Sequence, residues 1–217
     1  MTVQSEGDCL DDLGVTTFRE LACHLRHQFR SDSHRCPIIG IDGFSGSGKS
    51  DFAHALALEL GATVINTDDF VPGWEGLRAS IDLLEEWILV PMSQDQTASW
   101  QRFDWHLMRP AEWHDVVPSS VLIVEGCGVG HKKLSSFLSY LVWMNAPVTE
   151  RLRRIHSRFD WEMYEPYVDM WAEQERQLRA GDDAEARADL VVESGVVRDD
   201  VDPKSAFVRH VPKDWYQ

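Results

Sequence analysis

Basic residues are scarce in this chain: 21 Lys and Arg stand against 36 Asp and Glu in 217 residues, a formal net charge of −15. Nucleic-acid and anionic-membrane surfaces need a basic face, so neither is an expected partner. Cysteine is sparse as well. Cys9, Cys23, Cys36 and Cys127 show no C-x-x-C spacing, which indicates neither a zinc site nor a redox pair, and scattered thiols suit a cytoplasmic protein. No apolar run reaches the ~18 residues of a membrane span, and residues 1–30 lack the charged-then-apolar profile of a signal peptide. Internal repeats and low-complexity tracts are absent too. Tryptophan is the one excess: nine are present, most of them between Trp74 and Trp171, where they are expected to build core and pocket walls.

Against this background one segment stands out. The apolar run Pro37-Ile38-Ile39-Gly40-Ile41-Asp42 leads into Gly43-Phe44-Ser45-Gly46-Ser47-Gly48-Lys49-Ser50, which fits the phosphate-binding pattern G-x-x-x-x-G-K-[ST] in full. A strand, a glycine-rich turn and a helix (Lys49 to Leu60) are expected in that order. Gly43, Ser45, Gly46, Ser47 and Gly48 would let backbone N–H groups approach phosphate oxygens, and the helix presents its positive end to them. Lys49 would reach the β- and γ-phosphates, and Ser50 would offer its hydroxyl to Mg²⁺. The pattern predicts binding of a nucleoside triphosphate, with ATP and Mg²⁺ as the expected pair.

Alternating strands and helices predict an α/β fold of the P-loop type. Its form would be a three-layer sandwich with a mostly parallel central sheet, helices on both faces and a small helical lid. Residues 1–35 are read as a frayed acidic tail and a helix packed on the core, with Ser31 to Arg35 as a linker. The P-loop domain would span 36–217, with the lid around 151–180. Strands are expected at 62–66, 120–124 and 140–144, with a final short one at 190–192, and a hairpin around Trp100 to Trp105. Helices are expected at 80–90, 134–138, 148–158 and 165–179. In such sheets ligands sit beyond the carboxyl ends of the strands, where the P-loop, Asp68-Asp69 and Glu125 all fall.

Phosphoryl transfer needs positioning, Mg²⁺ and a group to take the acceptor's proton. Asp68 and Asp69 follow a strand directly, so their side chains diverge. One can face the metal and the acceptor hydroxyl while the other caps the turn, so Asp68 and Asp69 are both candidates for the base, the metal neighbour and the acceptor contact. Glu125 ends an apolar strand, where a carboxylate is costly unless it meets a cation, and reads as the second acid of the metal site. Arg151, Arg154 and Arg158 share one face at helical spacing. Trp74, in the loop after the acids, is placed to stack on a ring or sugar.

The order GFSGSGKS, TDDF, VEG, RLRRIHSR resembles the uridine kinase, phosphoribulokinase and bacterial pantothenate kinase family, over roughly Pro37 to Arg158. The resemblance implies a kinase that phosphorylates a hydroxyl group of a small metabolite. It makes Asp68 the base, Glu125 the acid before glycine, and Arg154 with Arg158 the lid pair that closes on the transferring phosphate. The segment Phe103 to Arg109 is similar to the family's acceptor-binding element, one residue shorter, which makes Asp104, His106 and Arg109 acceptor contacts. After Arg158 the chain departs from the family, with Phe159-Asp160-Trp161-Glu162, and the acceptor stays unassigned. The expected partners are therefore ATP and a small-molecule acceptor, and a homodimer is compatible with that set. Two other classes compete: a nucleotide-hydrolysing switch or motor, and a binding module without catalysis. A switch would want an Asn-Lys-x-Asp element, which Met144-Asn145-Ala146-Pro147 lacks; Lys49, Ser50, Asp68 and Glu125 together speak against a dead module.

Overall fold

The computed structural model describes residues 13–30, 36–118, 120–195, 199 and 201–210. The acidic tail before residue 13 and the linker 31–35 lie outside them. In chain order the elements are β1 (Leu13–Thr17), α1 (Phe18–Phe29), β2 (Ile38–Asp42), α2 (Lys49–Leu60), β3 (Thr63–Asn66), α3 (Leu77–Leu84) and α4 (Val90–Ser93). There follow β4 (Ala98–Asp104), β5 (Arg109–Val116), β6 (Leu122–Glu125), β7 (Tyr140–Asn145) and α5 (Val148–His156). The chain closes with α6 (Trp161–Tyr164), α7 (Val168–Ala180), β8 (Leu190–Glu193) and β9 (Ala206–His210).

Seven strands form one sheet in the order β1-β9-β8-β7-β2-β6-β3, while β4 and β5 pair as a separate hairpin. The run from β3 to β8 is parallel, and the β9 and β1 edge is antiparallel. Strand alternation decides the layers. Ile39, Ile41, Ile123 and Val142 point into the core beneath α1 and α2, against Leu21, Leu25, Phe52 and Leu56. Their neighbours Ile38, Leu122 and Val124 point the other way, onto Ile81, Leu84, Ile88 and Met92. Strands buried on both faces read as continuous apolar runs, which is why β2 and β6 were legible.

Helix α1 starts where a reciprocal cap permits it. Thr17 Oγ1 accepts from Glu20 N at 3.1 Å, and the Glu20 carboxylate accepts from Thr17 N at 2.8 Å. The helix expected over 80–90 runs instead from Leu77 to Ser93, with a π-helical turn at Glu85–Leu89. Pro91 has no N–H to continue the regular ladder, and Val90 N–H reaches back to Glu85 O.

Two strands differ from expectation. Residues 13–15, read with the frayed tail, belong to β1, and β8 is followed by a further strand, β9. Each completes the other: Val15 pairs with Val208 and Thr17 with Ala206. The helix expected through residue 158 stops at His156. Ser157 takes the C-cap and its hydroxyl donates to Arg154 O at 2.8 Å.

Candidate active site

Strand β2 is wholly buried and delivers Asp42 to the start of the glycine-rich loop. Asp42 accepts from Gly43 N (2.6 Å), Gly128 N (3.0 Å) and Gly130 N (2.8 Å), tying the loop to the segment after β6. Burial still pushes its carboxyl above the usual range. Gly46 has φ +77, and a Cβ there would stand 2.6 Å from Arg151 O, so only glycine fits beneath α5. Beyond Gly48 the first N–H groups of α2, at Lys49 and Ser50, have no intrahelical partner.

Lys49 is buried and folds back over the loop, donating to Gly43 O (2.8 Å) and Phe44 O (3.1 Å), with Cys127 Sγ at 3.5 Å. Burial alone would lower its pKa. The acidic groups around it, Cys127, Glu125, Glu175 and Asp68, more than offset that and hold the ammonium charged. Cys127 itself stays a thiol, because burial pushes it well up, so the carboxylates carry the effect. Ser50 Oγ donates to Glu125 Oε1 at 2.8 Å, and Glu125 is buried at the end of β6. Burial raises the Glu125 pKa against the opposing pull of Lys49.

Beyond β3 a single 3₁₀ turn, Thr67–Asp69, is started by Asn66, whose Oδ1 accepts from Asp68 N at 2.8 Å. The turn separates the two acids. Asp68 feels Lys49 and Arg158, whereas Asp69 feels Asp68, His114 and Arg102 on the hairpin side. Desolvation is the main cause raising both, and Asp68 is the one aimed at the loop.

A small cavity of about 40 Å³ opens at Gly43 and Phe44, and two larger ones flank the loop. One, of about 280 Å³, meets it at Ser45 and is lined by Asp68, Asp69, Trp74, Trp105, Arg158 and Tyr164 among others. The second, of about 230 Å³, meets it at Gly48 and Asp51 and is lined by Arg154, Ser194, Pro203 and Phe207. The arginine pair expected from helical spacing is therefore split. Arg154 donates to Gly46 O (3.2 Å), Ser194 Oγ (3.0 Å) and Ser194 O (2.6 Å) on the second cavity's side. Arg158, past the end of α5, turns to the first and forms a bidentate pair with Asp160 at 2.8 and 2.7 Å.

Asp104, His106 and Arg109 do not line the Asp68 cleft. Asp104 Oδ1 instead accepts from His106 N (3.0 Å) and Leu107 N (2.9 Å) and closes the hairpin turn. Trp105, between them, is the residue that reaches the cleft, its Nε1 donating to Asp68 O at 2.9 Å. Trp74 lines the cleft and stacks on Tyr167 at 4.4 Å, so it serves wall and packing at once.

Glu175 was missed. It is buried on α7, and its Oε1 accepts from Ser45 N (2.8 Å), Ser45 Oγ (2.7 Å) and Cys127 Sγ (3.1 Å). The signal was a carboxylate one helical turn after Trp171, which the spacing puts on the same face of α7. Oxygen donors at Ser50 and Glu125 suit a hard ion such as Mg²⁺, which keeps most of its shell as water and phosphate oxygen. Among the described residues no cluster of three or more His, Cys, Asp or Glu side chains forms a metal site of its own.

No protein-family model matches the sequence, and no curated protein does. Solved structures do. A possible uridine kinase from Bacillus stearothermophilus aligns with TM-score 0.56 and 17% identity, covering 77% of this chain and 98% of its own. A candidate fructose transport system kinase from Silicibacter sp. aligns at 0.52 and 18%, covering 81% and 98%. The YGR205w protein aligns at 0.54 and 14%, covering 91% and 100%. At these identities the likeness shows the fold alone, the mixed α/β architecture with a mostly parallel sheet that the alternation of strands and helices led one to expect. Among the described residues no helix is long and apolar enough to cross a membrane.

Proposed function

We propose that this chain is an ATP-dependent kinase that transfers the γ-phosphoryl group to a hydroxyl of a small metabolite. The observation that carries the reading is the position of the loop between two cavities, one opening at Gly48 and one at Ser45, with Asp68 lining the Ser45 cavity. Donor base and acceptor would approach the loop from opposite ends. The solved kinases of the same fold support it.

The 230 Å³ cavity, walled by Val192 and Phe207, suits the adenine and ribose. Loop N–H groups and Lys49 would hold the β- and γ-phosphates. Ser50 and Glu125, already 2.8 Å apart, would hold Mg²⁺. When bound, the ion neutralises charge on the phosphate oxygens. Asp68 takes the proton of the acceptor hydroxyl as its oxygen bonds to the γ-phosphorus, and the bond to the β-phosphate oxygen breaks to release ADP. Arg158 faces the developing charge from the cleft side. A cytoplasmic setting, where ATP is available and thiols stay reduced, fits the free Cys23, Cys36 and Cys127.

The test is ADP release with and without a panel of hydroxyl metabolites. Acceptor-dependent turnover is expected, lowered by about 10²–10³ in Lys49→Ala. Hydrolysis at the same rate with every acceptor and with none would point to the switch or motor class instead.

A further inference from the structure

We infer that the acceptor is a ring-bearing alcohol without a negatively charged group, an inference that rests on the kinase reading. The Asp68 cleft carries Asp68, Asp69 and Asp160 against a single cation among its described lining residues, Arg158. That guanidinium is committed. Its Nε and Nη2 donate to the two oxygens of Asp160 at 2.8 and 2.7 Å, and its plane lies over the Tyr164 ring at 5.5 Å. Toward Asp69 stand His114 and Arg102, and both meet Glu112, at 3.3 Å and at 2.6 and 3.1 Å. Held by Asp160 and turned to the transferring phosphoryl group, Arg158 leaves no further lining arginine for a phosphate or carboxylate on the acceptor, which would meet Asp68 and Asp69. Charge repulsion from the two aspartates disfavours such a group in the cleft.

The rest of the wall is aromatic. Trp105 lies 4.7 Å from Trp74 at a 55° tilt, and Trp171 closes the base of the cluster. The Trp105 N–H is occupied by Asp68 O, so this ring offers a face rather than a donor to the ligand. Such faces take a flat ring or the C–H side of a sugar. The volume, about 280 Å³, lies at the small end of ligand pockets and suits a compact metabolite.

Matched acceptor pairs test this with the full chain: ribonucleosides against their 5′-monophosphates, and monosaccharides against their phosphates. The uncharged member is expected to show kcat/KM at least about tenfold above its phosphorylated partner. Asp160→Asn releases Arg158, so in that variant the ratio is expected to fall about tenfold toward the phosphorylated member. Because each ratio is taken within one preparation, partial loss of folded enzyme does not move it. Preference of the wild type for the phosphorylated members, or an unchanged ratio in Asp160→Asn, would overturn the inference while leaving the kinase reading standing. Absence of acceptor-dependent ADP release from every pair would overturn the kinase reading, and the inference with it.

Discussion

Glu175→Gln is expected to tighten nucleotide binding. In the structure Glu175 Oε1 takes the Ser45 N–H and hydroxyl and the Cys127 thiol, so a carboxylate from α7 sits on a loop amide. A triphosphate on the same loop brings further negative charge beside it. Two unit charges about 6–8 Å apart, at an effective dielectric of about 20, repel by about 2–3 kcal/mol. Lys49 lies between them and offsets part of that, which leaves roughly 1.4 kcal/mol, or about tenfold in Kd. The glutamine oxygen can keep all three hydrogen bonds, so the loop itself should hold its shape. The assay is calorimetric titration of wild type and variant with a non-hydrolysable ATP analogue, with circular dichroism as the check on folding. An unchanged or weaker affinity in a fully folded variant would refute the reasoning, because the carboxylate would then be helping to hold the nucleotide.

Ser50→Ala removes the hydroxyl that meets Glu125 at 2.8 Å and should raise the Mg²⁺ concentration needed for half-maximal turnover by about 10–100-fold. An unaltered Mg²⁺ titration would place the metal elsewhere. Burial raises the Asp68 pKa, and a base works only when ionised, so the acidic limb of kcat/KM should lie above the ordinary aspartate value of about 3.9. A limb at or below that value in a pH profile would count against Asp68. The same cause makes the ionised Asp68 a cost to folding. A raised folded-state pKa means that the native chain binds this proton more readily than the unfolded one, so its contribution to stability improves as pH falls from neutral. Asp68→Asn should accordingly melt higher than wild type at pH 7, and a lower Tm would contradict it.

Local signals carried most of the fold. The turn from β2 through Gly48 into α2 is contiguous in sequence, and its strand, glycine and helix requirements all fall on adjacent residues. The β1–β9 edge was not legible for the opposite reason. Leu13–Thr17 has only two strongly apolar residues, and its partner stands near residue 208, so neither strand signals without the other. Helical spacing put Arg154 and Arg158 on one face, but Ser157 ends the helix between them and sends them to different cavities. Asp104 was read as an acceptor contact from the resemblance alone, and its turn-closing hydrogen bonds to His106 N and Leu107 N could not be told from the sequence. Glu175 was hidden because one carboxylate among the Asp and Glu residues of an α7 sequence rich in charge reads as a solvated position. The divergence of Asp68 from Asp69 was inferable from adjacency, whereas the direction of each needed the 3₁₀ turn.

The reading depends on a loop that grips ATP and an acid, Asp68, that acts on the other reactant at the same centre. The direct measurement is Asp68→Asn assayed for both: ATP binding by calorimetry and phosphoryl transfer by ADP release. Binding within about twofold of wild type, with transfer lowered by about 10²–10⁴, is the expected pair of results. Transfer retained in Asp68→Asn but lost in Asp69→Asn would contradict it.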